Sequence, residues 1–184
     1  MKKLLLLTGE LASGKSTLAQ AILDAHPMLG VTKDRMKELL ADTVGFRDRA
    51  ENRILSDAVF STMHYLFLQA ADASLPLLLE SNFRQHELDL LYEEAERLGY
   101  SVLTVCLTGD LSVLHRRFLE RAASGTRHRA HLMQDLSNFS DFAAISVQRN
   151  PRTYRGQLLL IDTTAPDAPP IATVPKQILS FLEA

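Results

Sequence analysis

Residues 9–16 read Gly-Glu-Leu-Ala-Ser-Gly-Lys-Ser and fit the pattern G-x-x-x-x-G-K-[ST] in full. Gly9 and Gly14 let the backbone wrap tightly where a Cβ would obstruct it. The successive backbone N–H groups of Glu10, Leu11, Ala12 and Ser13, and the start of the helix that follows, then point at one anion. Lys15 adds a positive charge suited to β- and γ-phosphates, Ser16 offers a hydroxyl to Mg²⁺, and Thr17 completes the run. The ligand this chemistry predicts is a nucleoside triphosphate, ATP with Mg²⁺. The plain alternative is a chance glycine-rich turn. The context argues against it, because the apolar run Leu4–Thr8 reads as a strand and Leu18, Ala19, Ile22 and Leu23 fall at helical spacing.

Two acids stand where strands end. Asp34 follows the short strand Val31-Thr32-Lys33, and ligands of open parallel sheets bind at the carboxyl ends of strands. Three roles stay open for it: accepting a proton from a hydroxyl, holding Mg²⁺ through water, or N-capping a helix over Asp34–Leu40. Glu80 closes the apolar run Leu75–Leu79, an arrangement suited to Mg²⁺ or a bound water, with glutamate in place of the more usual aspartate. Asn82 and Arg84 follow it and are candidates to contact an acceptor; a solvated loop charge is the other reading of Arg84.

Arg117, Arg121, Arg127 and Arg129 make the densest cationic region. Arg117 and Arg121 share a helix face at a spacing of four. Phosphoryl transfer spreads negative charge over the γ-oxygens, and arginines clamp such charge well, which makes Arg121 and Arg127 catalytic candidates. Ser124-Gly125-Thr126 offers a hinge, so a lid over about residues 121–133 is expected. The alternative is a basic helix end solvated by water. His128 and His131 have no third ligand at metal-site spacing, so no zinc site is expected. Arg47, Arg49 and Arg53 could meet an anionic acceptor, or simply line a solvated helix face.

The elements that must position these residues alternate. Strands are expected at Leu4–Thr8, Val31–Lys33, Leu75–Glu80, Tyr100–Leu107 and Gln157–Ile161. Helices are expected at Ser16–Ala25, Asp34–Leu40, Ile54–Ala71, Glu87–Leu98, Leu111–Ala122 with Asp110 as cap, Leu132–Val147 and Ile171–Leu182. In the long one, Ile54, Leu55, Ala58, Val59, Met63, Leu66, Phe67 and Ala70 form the apolar stripe. Alternation of this kind predicts an α/β fold with a parallel sheet. A length of 184 residues favours one domain spanning 1–184. The net charge of −2 argues against nonspecific nucleic-acid binding. The apolar runs are too short to span a membrane and Met1–Leu7 lacks a cleavage pattern, so a cytoplasmic location is expected. Cys106 lies in an apolar run and is expected to be a buried strand residue. Oligomeric state is not readable.

Gly9–Thr17, Lys33–Leu40, Leu79–Arg84 and Arg117–His128 together resemble the AAA_33 group of small P-loop kinases, zeta-toxin-like and polynucleotide-kinase-like, with a nucleoside-monophosphate-kinase-type fold. That resemblance implies a P-loop NTPase α/β/α sandwich with a five-stranded parallel sheet of order 2-3-1-4-5. It implies Asp34 as base or Mg²⁺-water ligand, Arg117 stacked near adenine, and Arg121 and Arg127 on the phosphates. It also implies that the loop Asp162-Thr163-Thr164 approaches the base. Polynucleotide kinases of this type have arginine three residues after the aspartate; Lys37 stands there instead and lacks the bidentate fork. The expectation is therefore an ATP-dependent kinase of a small hydroxylated molecule, with Asp34, Lys37, Asn82 and Arg84 facing the substrate. A polynucleotide or nucleoside 5′-hydroxyl kinase is the second reading. A regulatory NTPase with slow hydrolysis is the third.

Overall fold

The computed structural model describes residues 2–125, 127–131 and 135–184. Five parallel strands form one sheet in the order β2-β3-β1-β4-β5. They are β1 (Lys3–Gly9), β2 (Leu29–Thr32), β3 (Leu77–Glu80), β4 (Ser101–Thr108) and β5 (Gln157–Asp162). The central strand β1 is buried along its whole length. Its side chains alternate between two cores, as a strand covered on both faces requires. Leu4 and Leu6 join Val59, Met63 and Phe67 of α3 (Arg49–Asp72) and Leu88, Leu91 and Ala95 of α4 (Gln85–Leu98). Leu5 and Leu7 join Leu18 and Ile22 of α1 (Lys15–Ala25) and Ile178 and Phe181 of the C-terminal helix, Lys176–Glu183. The result is the expected three layers, helix on sheet on helix.

Several boundaries differ from the sequence expectation, each for a local reason. Lys33 opens α2 (Lys33–Val44) instead of ending β2, and that helix runs on until Gly45 accepts a positive φ. Its N-cap is Thr32, so Asp34 lies in the first turn and does not cap it. Helix α3 starts five residues early because Asp48 caps it, accepting from the Glu51 amide. Ile54 is then 65% exposed, and the buried stripe is Val59, Met63, Phe67 and Ala70. Strand β3 begins after Pro76, at Leu77. Helix α5 (Leu111–Ala123) is capped by Asp110 as expected. The long helix expected over 132–147 is a single short one, α6 (Phe139–Ala144); residues 132–134 lie outside the described residues. The last helix, α7, starts only at Lys176, after Pro175, so 171–175 are not helical.

The sheet delivers β1 into the loop through Gly9, which adopts φ +123°. A Cβ there would lie 2.1 Å from the carbonyl oxygen of Leu107 on β4. The close approach is used: Glu10 N donates to that same carbonyl at 2.8 Å. Gly9→Ala is therefore expected to lose at least about 3 kcal/mol of stability and to melt roughly 6 °C lower or more. Gly45→Ala, with φ +76° but nothing within 4 Å, is expected to lose only about 1 kcal/mol. Thermal unfolding of both variants checks this, and equal losses would show that the backbone clash at Gly9 is unimportant.

Candidate active site

The loop between β1 and α1 is organised around Lys15. Its Nζ donates to the carbonyl oxygens of Glu10 at 2.6 Å and Gly9 at 3.3 Å. The lysine is only 9% exposed, and burial lowers its pKa, with the charges of Glu80 and Asp34 opposing that effect. Ser13 Oγ also donates to the Glu10 carbonyl, at 2.7 Å. Ala12 and Gly14 take positive φ, which curls the loop back over the lysine; the Glu10 amide, expected among the anion-facing donors, is instead spent on the Leu107 carbonyl. Helix α1 has no acid in its first turn, so its amide end is free to meet an anion. The Glu10 side chain has a separate task. It is buried, and its carboxylate accepts from the amides of Val147 at 3.1 Å and Gln148 at 2.9 Å, tying the loop to the segment before β5.

Around this loop lies a cleft of about 250 Å³. Lys15, Ser16 and Thr17 line it together with Asp34, Lys37, Glu80, Asn82, Arg84 and Arg121. Ser16 Oγ lies 3.5 Å from Glu80 Oε2. A hydroxyl and a carboxylate side by side suit a hard divalent cation that keeps waters and phosphate oxygens as its other ligands. No cluster of three His, Cys, Asp or Glu side chains fit for a metal occurs among the described residues, and His128 and His131 are engaged elsewhere. Asp34 is exposed to the cleft, 3.9 Å from His131 Nδ1. Its helix is pinned by Lys33, whose Nζ pairs with the buried Glu87 at 3.0 Å. Glu87 in turn accepts from the amide of Arg84 at 2.7 Å, which fixes the turn after β3. Arg84 is neither a free loop charge nor wholly committed, since it pairs with Asp57 at 2.9 Å and still lines the cleft.

A second chamber of about 410 Å³ opens from the first and shares Asp34, Lys37, Asn82, Arg84 and Arg121 with it. Its further walls include Arg49, Asn52 and Arg53 from α3, Arg127 and Ala130 from the expected lid, and Leu136 just beyond it. Asn52 is a residue the sequence reading passed over. It is buried, accepts from Lys37 Nζ at 2.7 Å, and donates to the carbonyl of Ala130 at 3.0 Å. The one available signal was a polar residue on the buried face of an amphipathic helix. Residues 127–131, the described part of the segment expected to form a lid, sit against α2 and the turn after it. His128 contacts Asp42 at 2.9 Å, His131 contacts Glu38 at 3.1 Å, and Arg129 donates to the carbonyl of Phe46 at 2.7 Å. Arg127 lies over the Phe118 ring at 4.3 Å, and Arg121 is the last basic residue of α5. Thr126, Leu132 and Met133, which belong to the expected lid, lie outside the described residues.

On the other side of the loop, Arg117 and Thr163 come together. Arg117 Nη2 donates to the Thr163 carbonyl at 3.2 Å. With Ser13, Gly14, Thr164, Pro170 and Ile171 they line a further cleft of about 460 Å³. Thr164 is fixed by donating to Asp162 at 2.7 Å and accepting from the Asp110 amide at 2.7 Å. The three spaces thus run in order: a cleft beside the loop's outer edge, the cleft above Lys15, and the chamber under the lid.

A parallel 2-3-1-4-5 sheet whose central strand runs into such a loop is the P-loop kinase fold. Within that class the match is narrower, for the AAA domain family AAA_33 spans residues 4–142, and the chain belongs to it. Among curated protein sequences none matches significantly. Among solved structures, the chain is similar to a candidate kinase from Chloroflexus aurantiacus, with 26% identity, 98% of this chain and 96% of that one covered, and a TM-score of 0.79. It shares the fold of a shikimate kinase from Bacteroides thetaiotaomicron at 19% identity, 99% and 99% coverage and TM-score 0.58. It shares that of a gluconokinase from Sinorhizobium meliloti at 18% identity, 99% and 92% coverage and TM-score 0.56. Among the described residues no helix is long and apolar enough to cross a membrane.

The electrostatics converge on Glu80. Burial pushes its carboxyl up from 4.5 to about 7, against the pull of Lys15. Between those values the unfolded chain ionises this group before the folded protein does. The folded state therefore loses stability as pH rises through about 4.5 to 7, by up to about 3 kcal/mol from this residue. Glu80→Gln, in protein free of nucleotide and metal, is expected to flatten that slope and to gain stability relative to the parent at pH 8. Urea unfolding at pH 5, 6, 7 and 8 measures it, and parallel pH slopes for the two proteins would refute the assignment.

Proposed function

We propose that this protein is a kinase that moves the γ-phosphoryl group of ATP to a hydroxyl of a small molecule. The observation that carries the reading is the joining of two spaces. The cleft above Lys15 opens directly into a second chamber, and Asp34 borders both. A switch that only binds and slowly hydrolyses a nucleotide has no use for a chamber of about 410 Å³ on the far side of its phosphate site. The shared fold of a shikimate kinase and a gluconokinase, each named for a small-molecule acceptor, supports the same reading.

In this mechanism the loop amides beyond Glu10, those of residues 11–14, and the Lys15 ammonium hold the β- and γ-phosphates. Arg117 and Thr163 border the adenine side. Ser16 and Glu80 would hold Mg²⁺, which neutralises phosphate charge when bound. The acceptor hydroxyl gives its proton to the Asp34 carboxylate as its oxygen bonds to the γ-phosphorus. The bond from that phosphorus to the β–γ bridging oxygen breaks, and the electron pair leaves with ADP. Arg121 and Arg127 face the charge that spreads over the equatorial oxygens. A hydroxyl of polynucleotide remains the second reading, because Lys37, Arg49 and Arg53 give the acceptor chamber the positive lining that a nucleic-acid phosphate would also favour.

Lys15→Ala is expected to lower transfer at least 1,000-fold and to weaken ATP binding strongly. Asp34→Asn is expected to lower transfer by roughly 100-fold or more with ATP affinity held within about threefold. ADP release, measured with and without a panel of hydroxylated acceptors and a 5′-hydroxyl oligonucleotide, checks both. Transfer by Asp34→Asn at the parent rate would remove Asp34 from the mechanism. Turnover indifferent to every acceptor would favour the regulatory reading.

A further inference from the structure

The chamber under the lid is far more positive than the molecule that contains it. Six cationic side chains line it, and Asp34 is its sole carboxylate. The whole chain carries 20 Lys and Arg against 22 Asp and Glu. Arg121 borders the cleft above Lys15, whereas Arg49, Arg53 and Arg127 line the chamber but not that cleft, and Arg127 is stacked on the Phe118 ring. Arg49 and Arg53 lie one turn apart on α3, so their guanidinium groups share a face at the far end of the chamber. Arg47, just before the same helix, shows the ordinary fate of a surface arginine: it pairs with Glu51 and stays outside the chamber. Among the described residues no carboxylate pairs with Arg49 or Arg53. Lys37 approaches from α2 and is aimed by Asn52, which takes one of its three N–H donors and leaves two for the chamber.

We propose that the acceptor is a small alcohol carrying an oxyanion, a carboxylate or a phosphate monoester, which Arg49 and Arg53 grip with help from Lys37. The proposal rests on the kinase reading above. Like charges brought together from two helices and a loop repel one another until an anion enters, and a planar guanidinium matches the two oxygens of a carboxylate or phosphate. Gripping the anion at the far end leaves a hydroxyl at the other end to face Asp34, so the same contact sets both affinity and register. The buried Ala130 and Leu136 give the chamber an apolar wall, which suits a metabolite whose carbon skeleton is enclosed.

The test has two arms. In the first, the full chain is saturated with Mg²⁺ and the β,γ-imido analogue of ATP, so that the phosphate loop is filled. Inorganic phosphate and D-glycerate are then titrated calorimetrically into the parent and an Arg49→Gln/Arg53→Gln double variant. At least a tenfold loss of binding in the double variant is expected, with affinity for the imido analogue retained as proof of folding. Equal binding by the two proteins overturns the proposal. In the second arm, labelled ATP is offered with matched sets: glycerol, glycerate and glycerol 3-phosphate; glucose, gluconate and glucose 6-phosphate; thymidine, thymidine 3′-phosphate and a 5′-hydroxyl oligonucleotide. Transfer is expected only to small oxyanionic members, with acceptor KM raised at least tenfold in the double variant; which member is used separates carboxylate from phosphate. Preference for a neutral member, or for the oligonucleotide over every small molecule, overturns it. Transfer to no member counts against the kinase reading, and the first arm then still decides whether the oxyanion site exists.

Discussion

A lysine ammonium taken out of water must find oxygen atoms to replace its hydration, or it gives up its proton. Lys15 finds them in the carbonyls of Gly9 and Glu10, within the loop that it belongs to. That self-contained arrangement sets the demands on the rest of the structure. The loop must curl back on itself, so Gly9, Ala12 and Gly14 take positive φ. It must be anchored without spending the amides that face the phosphates, so the Leu107 carbonyl takes the amide of Glu10 and the Glu10 side chain reaches out to Val147 and Gln148. The strand feeding it must be immovable, which is why β1 sits at the centre of the sheet with a core on either face.

The second demand is electrostatic. One buried cation cannot be balanced by a fully ionised buried acid next to it without an energetic cost on both. Glu80 is the group that yields: burial pushes its carboxyl up to about 7, against the pull of Lys15. Asp34 avoids the same cost by standing in the open first turn of α2 instead of at the strand end. The two acids that the sequence places similarly, each at the end of a strand, therefore have opposite environments. The structure gives one a buried place beside Ser16 and the other a solvent-reached place bordering both the cleft and the second chamber.

What the sequence revealed follows from how local each signal is. Residues 4–25 were readable because an apolar strand, a spacing-defined loop and a helical repeat sit end to end and need nothing distant. Arg117 and Thr163, and the strand order itself, came from resemblance, since no local pattern places residues 46 apart beside each other. Helix ends were missed where a cap or a proline decided them, at Asp48 and Pro175. The acceptor chamber was the least legible part. Asn52 looks like any polar residue in a long helix, and Arg49 and Arg53 look like a solvated face, until α2, the lid turn and the β3–α4 turn close around them.

That contrast also explains how the two halves of the site relate. The phosphate loop itself is built from one contiguous segment, with Glu80, Arg117 and Thr163 brought to its edges by the sheet. The second chamber is assembled from many separate segments and is held by a few polar ties. Asn52 is the most telling of these, because its two ends bind different things: the carbonyl oxygen orients Lys37, and the amide holds Ala130 of the lid turn. A displacement of Ala130 would loosen Asn52 and with it the aim of Lys37, so the position of the 127–131 turn and that of the Lys37 ammonium are mechanically one unit. Such a unit can be altered by a few substitutions on α3 without touching Gly9, Lys15 or Glu80. Physical separability of that kind lets the lining of the second chamber, drawn from α2, α3 and the 127–131 turn, vary while the phosphate loop stays as it is.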